Sequence, residues 1–475
     1  MKGFSHEITK AAFAALPKGF YSLLPPSRIK ELRLGNIQNE YNFLQRSQWF
    51  KLKDIEKLQL KKLKAIVFHA YTHIPYYRRK FKASGITPND INSLSDITKI
   101  PILTKKEIRR NIKNLISPNC QFNFASVTSG STGKPLKVLL DGESLNWREA
   151  RTQRAYTWTG FDPGTDRIMN MLNSISYLST KSLDILSAGI KNLIKNKLIW
   201  FPKTFSAKDL MEIFFAMQKF EPKLLNASPS LMKPLLDIKE RFDLEFPKSL
   251  DYVSICGEAF PIKLIQSKIG AEVFESYATN EVGHVASECK EHSGMHVNME
   301  DFLLEITKNN DVLNNMERGE VVITDFTNYD MPLIRYNLED ISEIENGKCS
   351  CGRGLIRLRE VAGRKNDFLV SSGSEIVLSD LREVFGLFTL HGEDFIKGVD
   401  QFRVIQEKID RVTVLIVPTQ DFSSHTESLI VTRIKKLLGS DVEVKIKTVD
   451  KIPSGKKFKY VVSKLGKNYI KNNFG

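Results

Sequence analysis

The sequence predicts an α/β protein: a large N-terminal α/β domain opened by a helical segment, followed by a small α+β C-terminal domain. Three observations carry this. Residues 1–120 set apolar side chains at helical spacing, residues 121–362 alternate strand-like and helical runs, and residues 363–475 read as hairpin, helix and strand.

In the first segment, Ile55 to Ala70 repeats apolar residues at i, i+3, i+4 and i+7, an amphipathic helix expected to stop at Ile74-Pro-Tyr-Tyr-Arg78. A second helix start follows, with Thr104 as N-cap and Glu107 closing a capping box. This segment reads as scaffold without evident chemistry. In the core, Asp209–Phe220 and Leu231–Phe242 are helical, Lys223–Ser228 leads into a turn at Pro229, and Leu250–Cys256 reads as a buried strand. Crossover helices between such strands imply a sheet whose ligands sit at the strand C-termini. Ser228–Ser230, Gly257-Glu258-Ala259 and a turn over Tyr277–Gly283 fall at those ends. The boundary falls near Gly363. Beyond it, Gln401–Gln406 and Arg411–Pro418 form a hairpin, Ser424–Leu438 a helix and Val442–Thr448 a strand.

Composition narrows the function classes. The 475 residues carry a net charge of +15, spread along the chain with no nucleic-acid-binding signature, so a solvated basic surface suited to phosphate ligands is expected, not nucleic acid. The basic, aromatic-bearing N-terminal third also suits a membrane surface. No apolar run is long enough to span a bilayer, and the N-terminus lacks a secretory signal, which predicts a cytoplasmic protein. Five cysteines in such a chain argue against a disulfide framework.

Chemistry concentrates between Ser126 and Val138. Thr128, Ser129, Ser131 and Thr132 offer hydroxyl donors, Gly130 and Gly133 let backbone N–H groups approach, and Lys134 adds positive charge. A donor-rich loop between two strands is what a polyphosphate requires. It is not a Walker A loop, because only two residues separate the glycines and Pro135 follows the lysine.

Further motifs follow in one order: Tyr277-Ala-Thr-Asn-Glu281, Ile334-Arg-Tyr-Asn-Leu-Glu-Asp340, Gly363-Arg364 and Ile452-Pro-Ser-Gly-Lys-Lys457. Together with the loop they resemble the adenylate-forming superfamily of acyl-CoA synthetases. The branch they look like is the phenylacetate–CoA ligase-like one, with its capsular-polysaccharide members. The resemblance implies an ATP-dependent ligase, in which a carboxylic acid becomes an acyl-adenylate with loss of pyrophosphate. The acyl group then passes to a thiol of coenzyme A or an acyl carrier protein, or to another acceptor. It implies that the loop residues 128–134 hold the β- and γ-phosphates, Glu281 the Mg²⁺, and Asp340 the ribose, with Arg335 assisting. It places Gly257, Glu258, Ala259 and Tyr277 at the adenine, Arg364 near the nucleotide, and Lys456 between carboxylate and α-phosphate, with Lys457 as the other candidate. The C-terminal domain would then be a mobile lid. The rival expectation is a nucleotide-binding regulatory or scaffold member without catalysis.

Two departures from the family pattern stand out. Ala278 and Asn280 replace the usual glycine and threonine before the glutamate, leaving Asn280 as a phosphate donor, and Asn366 occupies the hinge. Separately, Cys349-Ser-Cys351-Gly is a knuckle, and Cys289, His292 and His296 lie upstream. Three thiols and one imidazole predict a closed, structural Zn²⁺ site, with either histidine as fourth ligand.

Overall fold

The computed structural model describes residues 31, 33–120, 124–127, 136–171, 196–200, 207–256, 262–364, 368–371, 376–378, 398–452 and 461–465. The contacts divide the chain into two units, the second made of Val361–Gly475 with the short stretches Ala259–Leu264 and Glu339–Ser342.

In the first unit, helix Leu52–His73 buries Ile55, Gln59, Leu63, Ile66, Val67 and Ala70 along one face. Each large aliphatic so removed from water contributes on the order of 1.5–3 kcal/mol. The helix ends at Ile74, whose extended backbone precedes Pro75. The expected stop is also a restart: Pro75 takes the first position of helix Pro75–Ala83, where its missing N–H costs nothing. Helix Lys105–Asn111 begins with the predicted capping box, Thr104 and Glu107 each bonding the other's backbone.

Strands Lys197–Trp200, Ile168–Met171, Leu224–Ala227, Tyr252–Cys256 and Glu272–Thr279 lie parallel and adjacent in that order. Their largely buried sequences suit a sheet covered on both faces. Helices Ala207–Phe220, Pro229–Arg241 and Ile262–Ile269 make the crossovers. The sheet then turns antiparallel through Gly283–Ser287, Met295–Val297 and Arg357–Arg364, and continues through Tyr336–Ile344, Gly319–Asp325 and Phe302–Lys308. A separate hairpin pairs Phe124–Val127 with Lys137–Leu140, the two strands expected around the serine/threonine/glycine loop.

The second unit has its own core. Val399–Lys408 and Arg411–Pro418 pair antiparallel, Glu443–Thr448 and Val461–Ser463 flank them in parallel, and helix Ser424–Leu438 packs on one face. Val412, Val414 and Ile416 alternate inward to meet Ile430, Ile434 and Leu438.

Candidate functional site

The first unit builds its site around Glu281. Strand Glu272–Thr279 ends at a tight turn, narrower than expected because Tyr277 still lies within the strand, with its side chain buried. Gly283 closes the turn at φ 78°, and an added Cβ would meet the Arg148 side chain at 3.1 Å, so both conformation and space call for glycine. Arginines one turn apart on helix Gly142–Trp158 clamp this turn. Arg148 donates to the carbonyls of Asn280 and Glu281, and Arg151 to that of Val282 while pairing with Asp301 at 3.0 Å.

Glu281 is only 5 % exposed. Its Oε1 accepts from the Tyr336 hydroxyl at 3.1 Å and faces Lys105 Nζ at 3.5 Å. Lys105 therefore brings chemistry to the segment expected to be pure scaffold. Backbone pairing explains the approach: Leu103 N–H donates to Arg335 O at 2.8 Å and Asn337 N–H to Leu103 O at 2.9 Å, which lays the start of helix Lys105–Asn111 beside strand Tyr336–Ile344. On another side, Ser126 Oγ donates to Asn280 O at 2.6 Å. The strand that leads into the serine/threonine/glycine loop thus touches the turn that carries Glu281.

Arg335, expected to assist at the ribose, has its guanidinium bonded within the protein. At φ 49° and 2 % exposure, it forks onto Glu305 at 2.7 and 3.0 Å and donates to the carbonyls of Thr98 and Ile100. The guanidinium is committed to a buried ion pair that holds the N-terminal segment to the sheet. Asp340 lies within strand Tyr336–Ile344, directly after Glu339 at φ 63°, a left-handed residue that interrupts the regular pleat. Arg364 ends strand Arg357–Arg364. Thr128, Ser129, Gly130, Ser131, Thr132, Gly133, Lys134, Gly257, Glu258, Ala259, Asn366, Lys456 and Lys457 lie outside the described residues.

A second cluster joins Cys289, His296, Cys349 and Cys351, whose ligand atoms all lie within 4.8 Å of one another. Cys289 and Cys349 sulfurs stand 3.8 Å apart, and Cys351 Sγ lies 3.3 Å from His296 Nε2. A tetrahedral ion about 2.3 Å from each sulfur would space its ligands at ~3.7 Å. The donor set therefore fits zinc, and the sulfurs are too far apart for a disulfide. Burial, then the Arg353 charge, lowers the His296 pKa to about 4, leaving a neutral imidazole, the form that ligates. Burial works to raise Cys351, but hydrogen bonds from Arg353 bring it down, while burial raises Cys289. His292 stands apart from the cluster. It bridges Glu272 at 3.0 Å and Glu288 at 3.3 Å, and these bonds, Glu288's foremost, raise its pKa to about 9.

The mixed sheet with a small α+β unit downstream matches the fold of solved adenylate-forming enzymes. The solved structure of 2-hydroxyisobutyryl-CoA ligase in its postadenylation state shares it, with a TM-score of 0.72 at 18% identity, covering 90% of this chain and 93% of that one. More particularly, the family described as the CapK C-terminal domain matches residues 372–464. The phenylacetate-coenzyme A ligase of Aromatoleum evansii is 27% identical over 412 residues, covering 83% of this chain and 88% of that protein. Protein CapK of Staphylococcus aureus is 21% identical over 426 residues, covering 87% and 90%. The chain thus resembles the adenylate-forming superfamily, in its phenylacetate–CoA ligase-like and CapK branch, as its motifs predicted. Among the described residues, no helix is long and apolar enough to cross a membrane.

Proposed function

We propose that this chain is an ATP-dependent, AMP-forming acid–thiol ligase. It activates a carboxylic acid as acyl-AMP and passes the acyl group to coenzyme A. The observation that carries the reading is the buried Glu281 carboxylate, fixed by Tyr336 and Lys105 on a turn bonded by Ser126, which lies in the strand that precedes the donor-rich loop in sequence. A buried acid at a strand C-terminus, beside a phosphate-binding sequence, suits Mg²⁺ carrying a nucleotide polyphosphate. Mg²⁺ bound there would neutralise charge on the phosphates.

The acid's carboxylate attacks the α-phosphorus, and the bond to pyrophosphate breaks. Thr128, Ser129, Ser131, Thr132 and Lys134, with backbone N–H groups at Gly130 and Gly133, hold the departing β- and γ-phosphates. Donors fixed in advance where charge develops are the largest source of acceleration in such transfers. Asp340 accepts from the ribose hydroxyls. Tyr277, Gly257, Glu258 and Ala259 line the adenine, and Asn280 and Arg364 face the nucleotide. Lys456 bridges the attacking carboxylate and the α-phosphate. Arg335 takes no part in this chemistry; it supports the fold through Glu305. The resemblance to the capsular-polysaccharide branch favours a place in polysaccharide assembly, and the thiol of an acyl carrier protein is the alternative acceptor. Zn²⁺ at Cys289, His296, Cys349 and Cys351 is structural in this reading, because four protein ligands leave no position open.

ATP–pyrophosphate exchange across a panel of aryl, fatty, amino and sugar acids tests the reading. Acid-dependent exchange with at least one of them is expected. ATP binding without exchange across the whole panel would favour the non-catalytic regulator instead.

A further inference from the structure

The turn between helices Gln38–Ser47 and Leu52–His73 presents Trp49, Phe50 and Leu52 to solvent at 53, 41 and 42 % exposure. Phe68 and Phe215 are also exposed, but far along their own helices and singly, which is ordinary for a soluble surface. Three large apolar side chains within four residues are not ordinary.

This turn is held firmly. Phe50 N–H donates to Ser47 O at 2.9 Å, and the turn packs on the Cys349–Gly354 knuckle. Gly354 N–H donates to Gln48 O at 3.0 Å, Arg353 Nε to Gln48 Oε1 at 2.9 Å, and the Arg353 guanidinium covers the Trp49 ring at 4.9 Å. A side chain at position 354 would collide with the Phe50 carbonyl at 1.8 Å, so the knuckle and the turn meet backbone to backbone. The backbone fixed in this way holds Trp49, Phe50 and Leu52 at the surface. Around them, Arg46, Lys51, Lys53, Lys57 and Arg353 outnumber Asp54 and Glu56, and Asp54 is already paired with Lys57 at 3.3 Å.

We infer that this turn is a foot by which the protein rests on an anionic membrane surface. Trp and Phe favour the headgroup level of a bilayer, where an apolar ring and polar surroundings are both accommodated, and flanking lysines meet the negative lipid charge. The basic rim selects this occupant over a second copy, since a self-complementary contact would bring like charges face to face. The inference is independent of the catalytic reading, because no residue of the foot belongs to the Glu281 site.

Co-sedimentation of the full chain with vesicles tests it, comparing phosphatidylcholine alone with phosphatidylcholine plus phosphatidylglycerol. Binding is expected to the anionic vesicles, to weaken with added salt, and to fall by about tenfold or more in Trp49→Ser/Phe50→Ser/Leu52→Ser. Lys51→Glu/Lys53→Glu should weaken it too. Quenching of tryptophan fluorescence by lipids brominated near the headgroup should be present in the natural chain and lost in Trp49→Phe, which still binds. All these side chains face solvent, so unchanged melting temperatures would show the variants folded. No binding to anionic vesicles, or binding that survives the triple substitution, overturns the inference. So does a dimer in solution that the triple substitution splits, which would make this face a contact between copies.

Discussion

At the residue scale, Glu281 and Arg335 are both buried charges, and their partners separate their roles. Glu281 is reached by Tyr336 and Lys105 but retains carboxylate capacity for a cation, whereas Arg335 is forked onto Glu305 and two carbonyls. Glu281→Gln is expected to cut ATP–pyrophosphate exchange by about 10²–10³-fold with little change in melting temperature, the scale of losing one preorganised charge-stabilising group. Arg335→Ala should do the reverse. It leaves Glu305 buried without its partner, and chemical denaturation should show a loss of about 3–5 kcal/mol. If Arg335→Ala folded with native stability but lost exchange, the division of roles would be wrong. Glu281, Asp340 and the loop hydroxyls stood out in the sequence because their motifs are local. Lys105 and Tyr336 carried no such signal toward Glu281. Their approach depends on the pairing of Leu103 with the strand after Arg335, between segments far apart in the chain.

At the element scale, the stretch from Cys289 to His296 contains two histidines of opposite character. His296 is buried among arginines and kept neutral, while His292 is held between two carboxylates and kept charged. Because the folded state raises His292 above its ordinary value near 6.5, its stabilisation is complete below that pH and disappears as pH rises through about 9. His292→Gln should therefore lower the melting temperature near pH 6, and the two proteins should converge above about pH 9.5. Since His292 is substantially exposed, the shift is expected to be small. The cysteine cluster predicts one tightly held zinc per chain by metal analysis. Cys349→Ser should abolish it and lower the melting temperature, as should a strong chelator. The sequence left the fourth ligand open because both histidines have workable spacing. Strand Met295–Val297 turns His296 inward, toward Cys351, so it is His296 and not His292 that stands among the thiols.

At the scale of the whole molecule, the two units have separate cores, and the proposed chemistry uses residues from both. Lys456→Ala is expected to lower adenylation by two or more orders of magnitude while supplied acyl-adenylate is still consumed by coenzyme A. Equal failure of both half-reactions would contradict a lid that serves them in different positions.

The fold class, the Ser424–Leu438 helix and the hairpin before it, the Thr104 capping box and the family resemblance were all legible in the chain. Each depends on short-range periodicity, capping or contiguous motifs, which a linear chain displays directly. That Arg335 pairs with Glu305, that Lys105 and Arg148 converge on the Glu281 turn, and that His296 stands among the thiols emerges from the folded chain alone. Those outcomes depend on which distant backbones pair and which charges are buried together, and neither is settled until the sheet has formed.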